Sequence, residues 1–261
     1  MSKTSTSARG FGISIVIPAY NEEFEIGGCI DAVKKNGGPH IKEIIVVDNA
    51  STDKTAEIAA AHGAVVVRES RRGTNNARQS GAEVAERNII AFIDADTRVP
   101  QGWVDKIEKA FADPHVALMS GPYRYIEAPW HWRLFLDAVW WTSPITYFFF
   151  PYIAMGGNVV VRRQFFEAVG GFDRKFTFYG DDTDLAQRMH AVGKTLWRMD
   201  FFIYSSARRF QADGIIRTNS LYMLNYFWSV FFGRPYTLAH KDFRAEVEKK
   251  IEEVKEAIKK I

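Results

Sequence analysis

Cysteine is almost missing. Cys29 is the only one in 261 residues, which excludes an intrachain disulfide and any multi-cysteine metal site and leaves this thiol a small core residue. No G-x-G-x-x-G follows the first apolar run and no G-x-x-x-x-G-K-[ST] occurs, so neither a dinucleotide fingerprint nor a P-loop is supported. A G-x-S-x-G elbow is absent, and the six histidines form no H-E-x-x-H pair. Charge of one sign is also lacking. With 34 Lys+Arg against 31 Asp+Glu the net charge is 34 − 31 = +3. No basic stripe exists to neutralise phosphates, which excludes nucleic acid as the partner.

No apolar h-region stands behind MSKTSTSARG. Residues 1–10 read as a flexible tail rather than a signal peptide, and with one thiol the expected compartment is the cytoplasm. No clean spanning segment is present either. The stretch from Trp130 to Ala154 is interrupted by Asp137, Ser143 and Pro144. Leu221 to Phe232 would be about 18 Å long as a helix, short of a ~30 Å hydrocarbon core. Both are rich in Trp, Tyr and Phe and flanked by Arg133, Arg217 and Arg234. That composition suits peripheral contact with the inner face of the cell membrane, the alternative being buried core or a dimer surface.

What is present is strand–helix alternation. ISIVIP from Ile13, IKEIIVVD (Ile41 to Asp48), AVVVR (Ala64 to Arg68) and NIIAFID (Asn88 to Asp94) read as buried strands. Helices are predicted from Glu23 to Lys35, over TAEIAAAH before Gly63, and from Asn75 to Glu86. Short polar turns between them argue for a parallel sheet with helices on both faces, whose ligands bind at the strands' carboxyl ends. Further on, Val116 to Tyr123 and Gly157 to Val161 are expected strands; Arg163 to Val169 and Asp182 to Ala191 are expected helices. At the C-terminus Phe243, Val247, Ile251, Val254, Ile258 and Ile261 recur every three or four residues, an amphipathic seam able to pack on the body, pair with another copy or lie on lipid.

Chemistry falls on carboxylates at strand ends. Asp94-Ala95-Asp96 closes an apolar strand, and two acids one residue apart repel unless a cation lies nearby. All-oxygen ligation suits Mg²⁺ or Mn²⁺. Gly180-Asp181-Asp182-Thr183-Asp184 precedes a helix, where one acid would serve as an N-cap and another could act as a general base. Arg78, Arg208 and Arg209 are candidate phosphate partners.

The ordered series IVIPAYNEE, IIVVDNASTD, RGTNNARQSG, FIDADTRVP, GGNVVVRR, GGFD, YGDDTDLAQRM and SARRF resembles the inverting, metal-dependent glycosyltransferases of family 2, from about Ile13 to Gly214. The resemblance implies a GT-A fold: a mostly parallel central sheet flanked by helices, with a Rossmann-like nucleotide-binding half (11–100), an acceptor half (101–214) and a helical C-terminal extension (215–261). It implies that Ala19, Tyr20 and Glu22 line the nucleotide pocket and that Asp48 contacts the base. Asp94 would reach ribose or metal, Asp96 would bind Mn²⁺ or Mg²⁺, and Ala95 would lie between them. Gly156 and Gly157 would allow close approach to the sugar, while Arg78, Arg208 and Arg209 would face the diphosphate. Asp182 stands at the catalytic base, preceded by Asp181 where relatives carry Glu; Asn49 stands where many carry a second Asp.

The implied reaction moves a sugar from a nucleotide diphosphate sugar, UDP before GDP, to an acceptor. The apolar segment from Trp130 to Tyr152 points to a lipid-linked or membrane-presented acceptor, and the C-terminal seam to a homo-oligomer. The competing readings are a transferase acting on a soluble hydroxyl acceptor, a non-catalytic nucleotide-sugar-binding scaffold, and a nucleotidyltransferase, whose glycine-rich, lysine-containing start is missing.

Overall fold

The computed structural model describes residues 11–125, 127–176 and 180–237. The expected tail over 1–10 and the seam from Phe243 to Ile261 lie outside the described residues.

The strands are β1 (Ile13–Ala19), β2 (Ile41–Asp48), β3 (Val65–Arg68), β4 (Ile89–Ile93), β5 (Thr97–Arg98), β6 (Val116–Ser120), β7 (Tyr123–Arg124), β8 (Asn158–Arg162), β9 (Lys194–Trp197) and β10 (Ile203–Ser205). The helices are α1 (Ile26–Gly37), α2 (Thr55–Ala61), α3 (Thr74–Val84), α4 (Trp103–Phe111), α5 (Trp130–Trp141), α6 (Ser143–Phe149), α7 (Arg163–Ala168), α8 (Asp181–Val192), α9 (Arg208–Asp213) and α10 (Ile215–Phe232), with one 3₁₀ turn at Gly38–His40.

Seven strands form the central sheet in the order β3-β2-β1-β4-β8-β6-β9. Its strands read as unbroken apolar runs because both faces are covered. Ile13, Ile15 and Ile17 point to one core with Ile30, Trp103 and Ile107; Val16, Ile45 and Phe92 point to the other with Ala77, Phe166 and Leu185. Cys29 is fully buried in the first core, and burial pushes its thiol up to about 12, so it is an inert packing residue.

Alternation alone predicts a parallel sheet, but β8 runs antiparallel to both β4 and β6. The reversal matters. It lays the start of β8 against the end of β4, with Asn158 opposite Ile93, and so brings Gly157 beside Asp94. The expected strand from Val116 to Tyr123 is two strands, broken at Gly121-Pro122. A Cβ on Gly121 would lie 2.0 Å from the Phe201 carbonyl oxygen, so the chain turns there into a second sheet of order β5-β10-β7. Helix α1 starts three residues later than expected, because the Glu22 carbonyl accepts the N–H groups of Glu25 and Ile26 in a separate turn.

The aromatic segments form α5, α6 and α10. Helix α10 is inverted in polarity: Thr218, Asn225 and Ser229 are its buried residues, while Ile216, Leu224, Phe231 and Phe232 are exposed. On α5 and α6, Trp141 is 78% exposed and Phe148 80%. Phe150 stacks edge-on with Phe231 at 5.7 Å, joining the two apolar surfaces. At 18 residues α10 is about 27 Å long. Among the described residues no helix is long and apolar enough to cross a membrane.

Candidate active site

The site is built on the carboxyl ends of β1, β2 and β4. Ala19 and Asp48 are register partners there, and the Asn49 N–H donates to the Ala19 carbonyl at 2.8 Å. Asp48 is buried, and its Oδ1 accepts the Ser51 N–H at 3.0 Å. Asn49 knits the neighbouring loop. Its amide donates to the carbonyls of Glu69 and Arg71 and accepts the Gly73 N–H. An aspartate cannot donate those two bonds, which accounts for asparagine at this position. Among the described residues, the non-glycine residues with positive φ, Asn21 and Ala50, lie in these two loops. The Arg72 guanidinium lies 3.2 Å from the centre of the Tyr20 ring, a close cation–π contact.

Two arginines tie the acids together. Arg78, buried on α3, donates through Nη1 to Asp181 Oδ2 at 2.7 Å and through Nη2 to Asp94 Oδ1 at 2.9 Å. Burial opposes the charge on Arg78, but the two carboxylates more than offset it and hold the guanidinium ionised. Asp94 Oδ2 accepts the Tyr123 hydroxyl at 3.3 Å, and that hydroxyl oxygen accepts the Gly157 N–H at 2.8 Å. A Cβ on Gly157 would stand 2.1 Å from Asp94 Oδ2, so only glycine fits beside the carboxylate. Arg208, at the start of α9, donates through Nη2 to Glu22 Oε2 and to Asp96 Oδ2, both at 3.0 Å.

Among the described residues no guanidinium bonds Asp182. Its Oδ2 accepts the Gly156 N–H at 3.3 Å and its Oδ1 the Thr183 N–H at 2.8 Å. Desolvation raises the pKa of both Asp181 and Asp182, with the Arg78 charge opposing it. Burial likewise pushes Asp96 up to about 6, against the pull of Arg208. A carboxylate whose pKa is raised in this way is suited to accepting a proton.

Arg78 with Asp94, Asp181, Tyr123 and Gly157 thus forms one bonded set, and Arg208 with Glu22 and Asp96 a second; the two meet in the Asp94-Ala95-Asp96 segment, and Asp182 joins the first through the Gly156–Gly157 backbone. Buried Ala95 lies between the two acids. Arg209 bonds the Tyr222 hydroxyl on α10. Tyr123 is the contributor that sequence reasoning missed, since its position depends on the three-stranded sheet. A cavity of about 390 Å³ lies elsewhere, lined in part by Gln79, Phe172, Arg174 and Arg188. The guanidinium groups of those two arginines are taken up by Glu69, Glu83 and Asp184, so it offers little to a charged ligand.

For a divalent ion the donor set is suitable but incomplete. Among the described residues no three or more His, Cys, Asp or Glu side chains are assembled around one point. Both oxygens of Asp94 are engaged, whereas Asp96 and Glu22 already flank a positive group. Hard carboxylate oxygens of this kind fit Mg²⁺ or Mn²⁺, which complete their shells with phosphate oxygens and water.

Comparison with known proteins identifies the family. The sequence model of Glycosyl transferase family 2 matches residues 14–170, and that of the N-terminal domain of galactosyltransferase matches residues 145–211. The chain is 30% identical over 225 residues to an uncharacterized glycosyltransferase of Mycobacterium tuberculosis, covering 85% of this chain and 98% of that one. It is 33% identical over 116 residues to glycosyltransferase AglE of Haloferax volcanii, where the match spans 42% of this chain and 38% of the relative. Among solved structures it resembles the mannosyltransferase PcManGT from Pyrobaculum calidifontis, crystallised with GDP-Man and Mn²⁺. The TM-score is 0.65 and the identity 22%, over 84% of this chain and 63% of that one.

Proposed function

The chain belongs to glycosyl transferase family 2 and is a nucleotide-sugar-dependent glycosyltransferase, and from that premise we propose that it is a metal-dependent, inverting enzyme acting on a membrane-presented acceptor. The observation that carries the catalytic part is the pair of arginine bridges, Arg78 between Asp94 and Asp181 and Arg208 between Glu22 and Asp96, which meet at Asp94-Ala95-Asp96 after β4. Residues 11–100 would hold the donor, 101–214 the acceptor, and 215–261 would extend the acceptor side.

Asp96 would hold Mn²⁺ or Mg²⁺, while Asp94, fixed by Arg78 and Tyr123, would face the ribose. When bound, the divalent ion supplies neutralisation of the departing diphosphate. Ala19, Tyr20 and Asp48 would line the base pocket, with Arg208 facing the phosphates. The acceptor oxygen attacks the anomeric carbon from the side opposite the leaving diphosphate, the carbon–oxygen bond to phosphate breaks, and the acceptor proton passes to Asp182. Asp181, held by Arg78, would position that base. Arg209, bonded to Tyr222, would support the acceptor side.

The donor reading is tested by thermal shift with UDP, GDP and their sugars in the presence of Mn²⁺. One base, expected to be UDP, should raise Tm well above the others by mass action; equal shifts for every nucleotide, or none, would refute a specific donor pocket. Because an ion ligand must be ionised and Asp96 is held near 6, Mn²⁺ affinity in the presence of that nucleotide should weaken about tenfold per pH unit below 6. An affinity flat from pH 7 to pH 5 would remove Asp96 as the ligand.

The membrane part rests on the inverted polarity of α10 and its continuity with α6. Helices that bury Thr, Asn and Ser while exposing Phe, Trp and Leu match a surface that meets lipid at the headgroup boundary. Exposed Arg133, Arg217 and Arg234 suit an anionic, cytoplasmic leaflet. In co-sedimentation the unaltered chain should bind vesicles containing anionic phospholipid. Replacing Trp141, Phe148, Phe149, Phe231 and Phe232 with Ser should release it. No binding before substitution, or equal binding after it, would favour a soluble acceptor.

A further inference from the structure

Arg208 places one amino group, Nη2, between two carboxylates that the chain brings from far apart, Glu22 after β1 and Asp96 after β4. Glu22 is buried, and Asp96 is largely shielded from water. Two such acids side by side repel strongly unless a positive charge stands between them, and here the guanidinium stands there. Arg208 is also under-used. Its Nε–H is buried and has no hydrogen-bond partner among the described residues, an unusual loss for a group that could donate. A divalent ion held by Asp96 would stand against this guanidinium, and two cations sharing one pair of acids is the costlier arrangement.

We propose that Arg208 is an exchangeable resident cation: it neutralises Glu22 and Asp96 in the empty site, gives up Asp96 when the metal enters, and turns its freed donors, Nε included, onto the diphosphate of the donor. The inference rests on the metal-dependent reading above and adds to it a coupling. Metal entry releases the arginine that the nucleotide needs, so each ligand strengthens the other, as linkage requires. A purely structural bridge would behave in the opposite way, since its loss would loosen Asp96 and weaken metal binding.

The test is Mn²⁺ binding followed by the electron paramagnetic resonance of the free ion, without turnover, in the absence and presence of UDP or GDP. In the unaltered chain Mn²⁺ alone should bind weakly and nucleotide should tighten it. Arg208→Gln should bind Mn²⁺ alone about tenfold more tightly, because a competing positive charge is gone, and should lose about tenfold of the tightening by nucleotide. Arg208→Lys keeps the charge between the acids but lacks Nε. It should show the unaltered Mn²⁺ affinity with reduced tightening, and it serves if the glutamine variant does not fold. Unchanged or weaker Mn²⁺ binding by Arg208→Gln, with nucleotide tightening intact, overturns the exchange and leaves metal dependence standing. An unaltered chain that binds no Mn²⁺ with either nucleotide overturns the metal reading itself, and the exchange with it.

Discussion

Asp182→Asn should lower kcat by about 10²–10⁴-fold for a sugar-hydroxyl acceptor, the usual worth of a positioned general base. The substitution is isosteric, and the amide oxygen can still accept the Gly156 or Thr183 N–H. What disappears is the capacity to take a proton, so KM for the donor should move little. The pH profile gives an independent readout. Desolvation raises the Asp182 pKa, and the base works only when ionised. With Mn²⁺ and donor saturating at every pH, the unaltered rate should therefore fall as pH drops, starting above the range of an ordinary carboxylate, and this acid limb should vanish in the variant. Asp181→Asn should keep the limb, because Asp181 is bound to Arg78 and does not face the acceptor in this reading. A loss of only a few-fold for Asp182→Asn would mean that the acceptor arrives already ionised, as a phosphate does near pH 7.

Arg78→Met should cost about 3–5 kcal/mol of stability, read from urea denaturation at pH 8. The guanidinium has two carboxylate partners. The side chains of Arg78 and Asp181 are 6% exposed and that of Asp94 is 35% exposed, so most of the cost arises at Asp181. Removing Arg78 strands a buried charge without a counter-ion. Burial already raises the Asp181 pKa to about 7 with Arg78 opposing it, so without Arg78 the folded pKa rises further above the unfolded one. Stability of the variant should then fall as pH rises through that raised value, and the deficit should shrink toward pH 5. Arg78→Met combined with Asp181→Asn should recover most of the loss, since the stranded charge is gone. A deficit below about 1 kcal/mol, or one independent of pH, would show that water screens this bridge.

The elements that were legible beforehand are those whose signal is local. Apolar runs mark β1, β2 and β4 within a residue or two, because a strand covered on both faces must be apolar throughout. Asp94-Ala95-Asp96 stood out because acids at the end of such a run sit on the ligand-binding edge of the sheet. Tyr123 gave no such signal. It reaches Asp94 only because Gly121-Pro122 turns the chain into a second sheet. Arg78 and Arg208 were legible as charged groups near phosphate, but their partners were not. Arg78 joins residues 16 and 103 positions away, and Arg208 joins residues 186 and 112 positions away.

Aromatic content marked the segments of α5, α6 and α10 as unusual without saying which face of each would be covered. Periodicity could not settle it, because α10 is apolar nearly all round and three of its polar residues, Thr218, Asn225 and Ser229, turn inward. The sequence by itself determined the alternating strands, the acids at their ends and the inert thiol, since these follow from burial and from the nearest few residues. The tertiary structure alone decided that β8 runs backwards beside β4, that Arg78 bonds Asp181 rather than Asp182, and that Arg208 stands between Glu22 and Asp96. Each of these depends on contacts between residues distant in the chain, which no local pattern encodes.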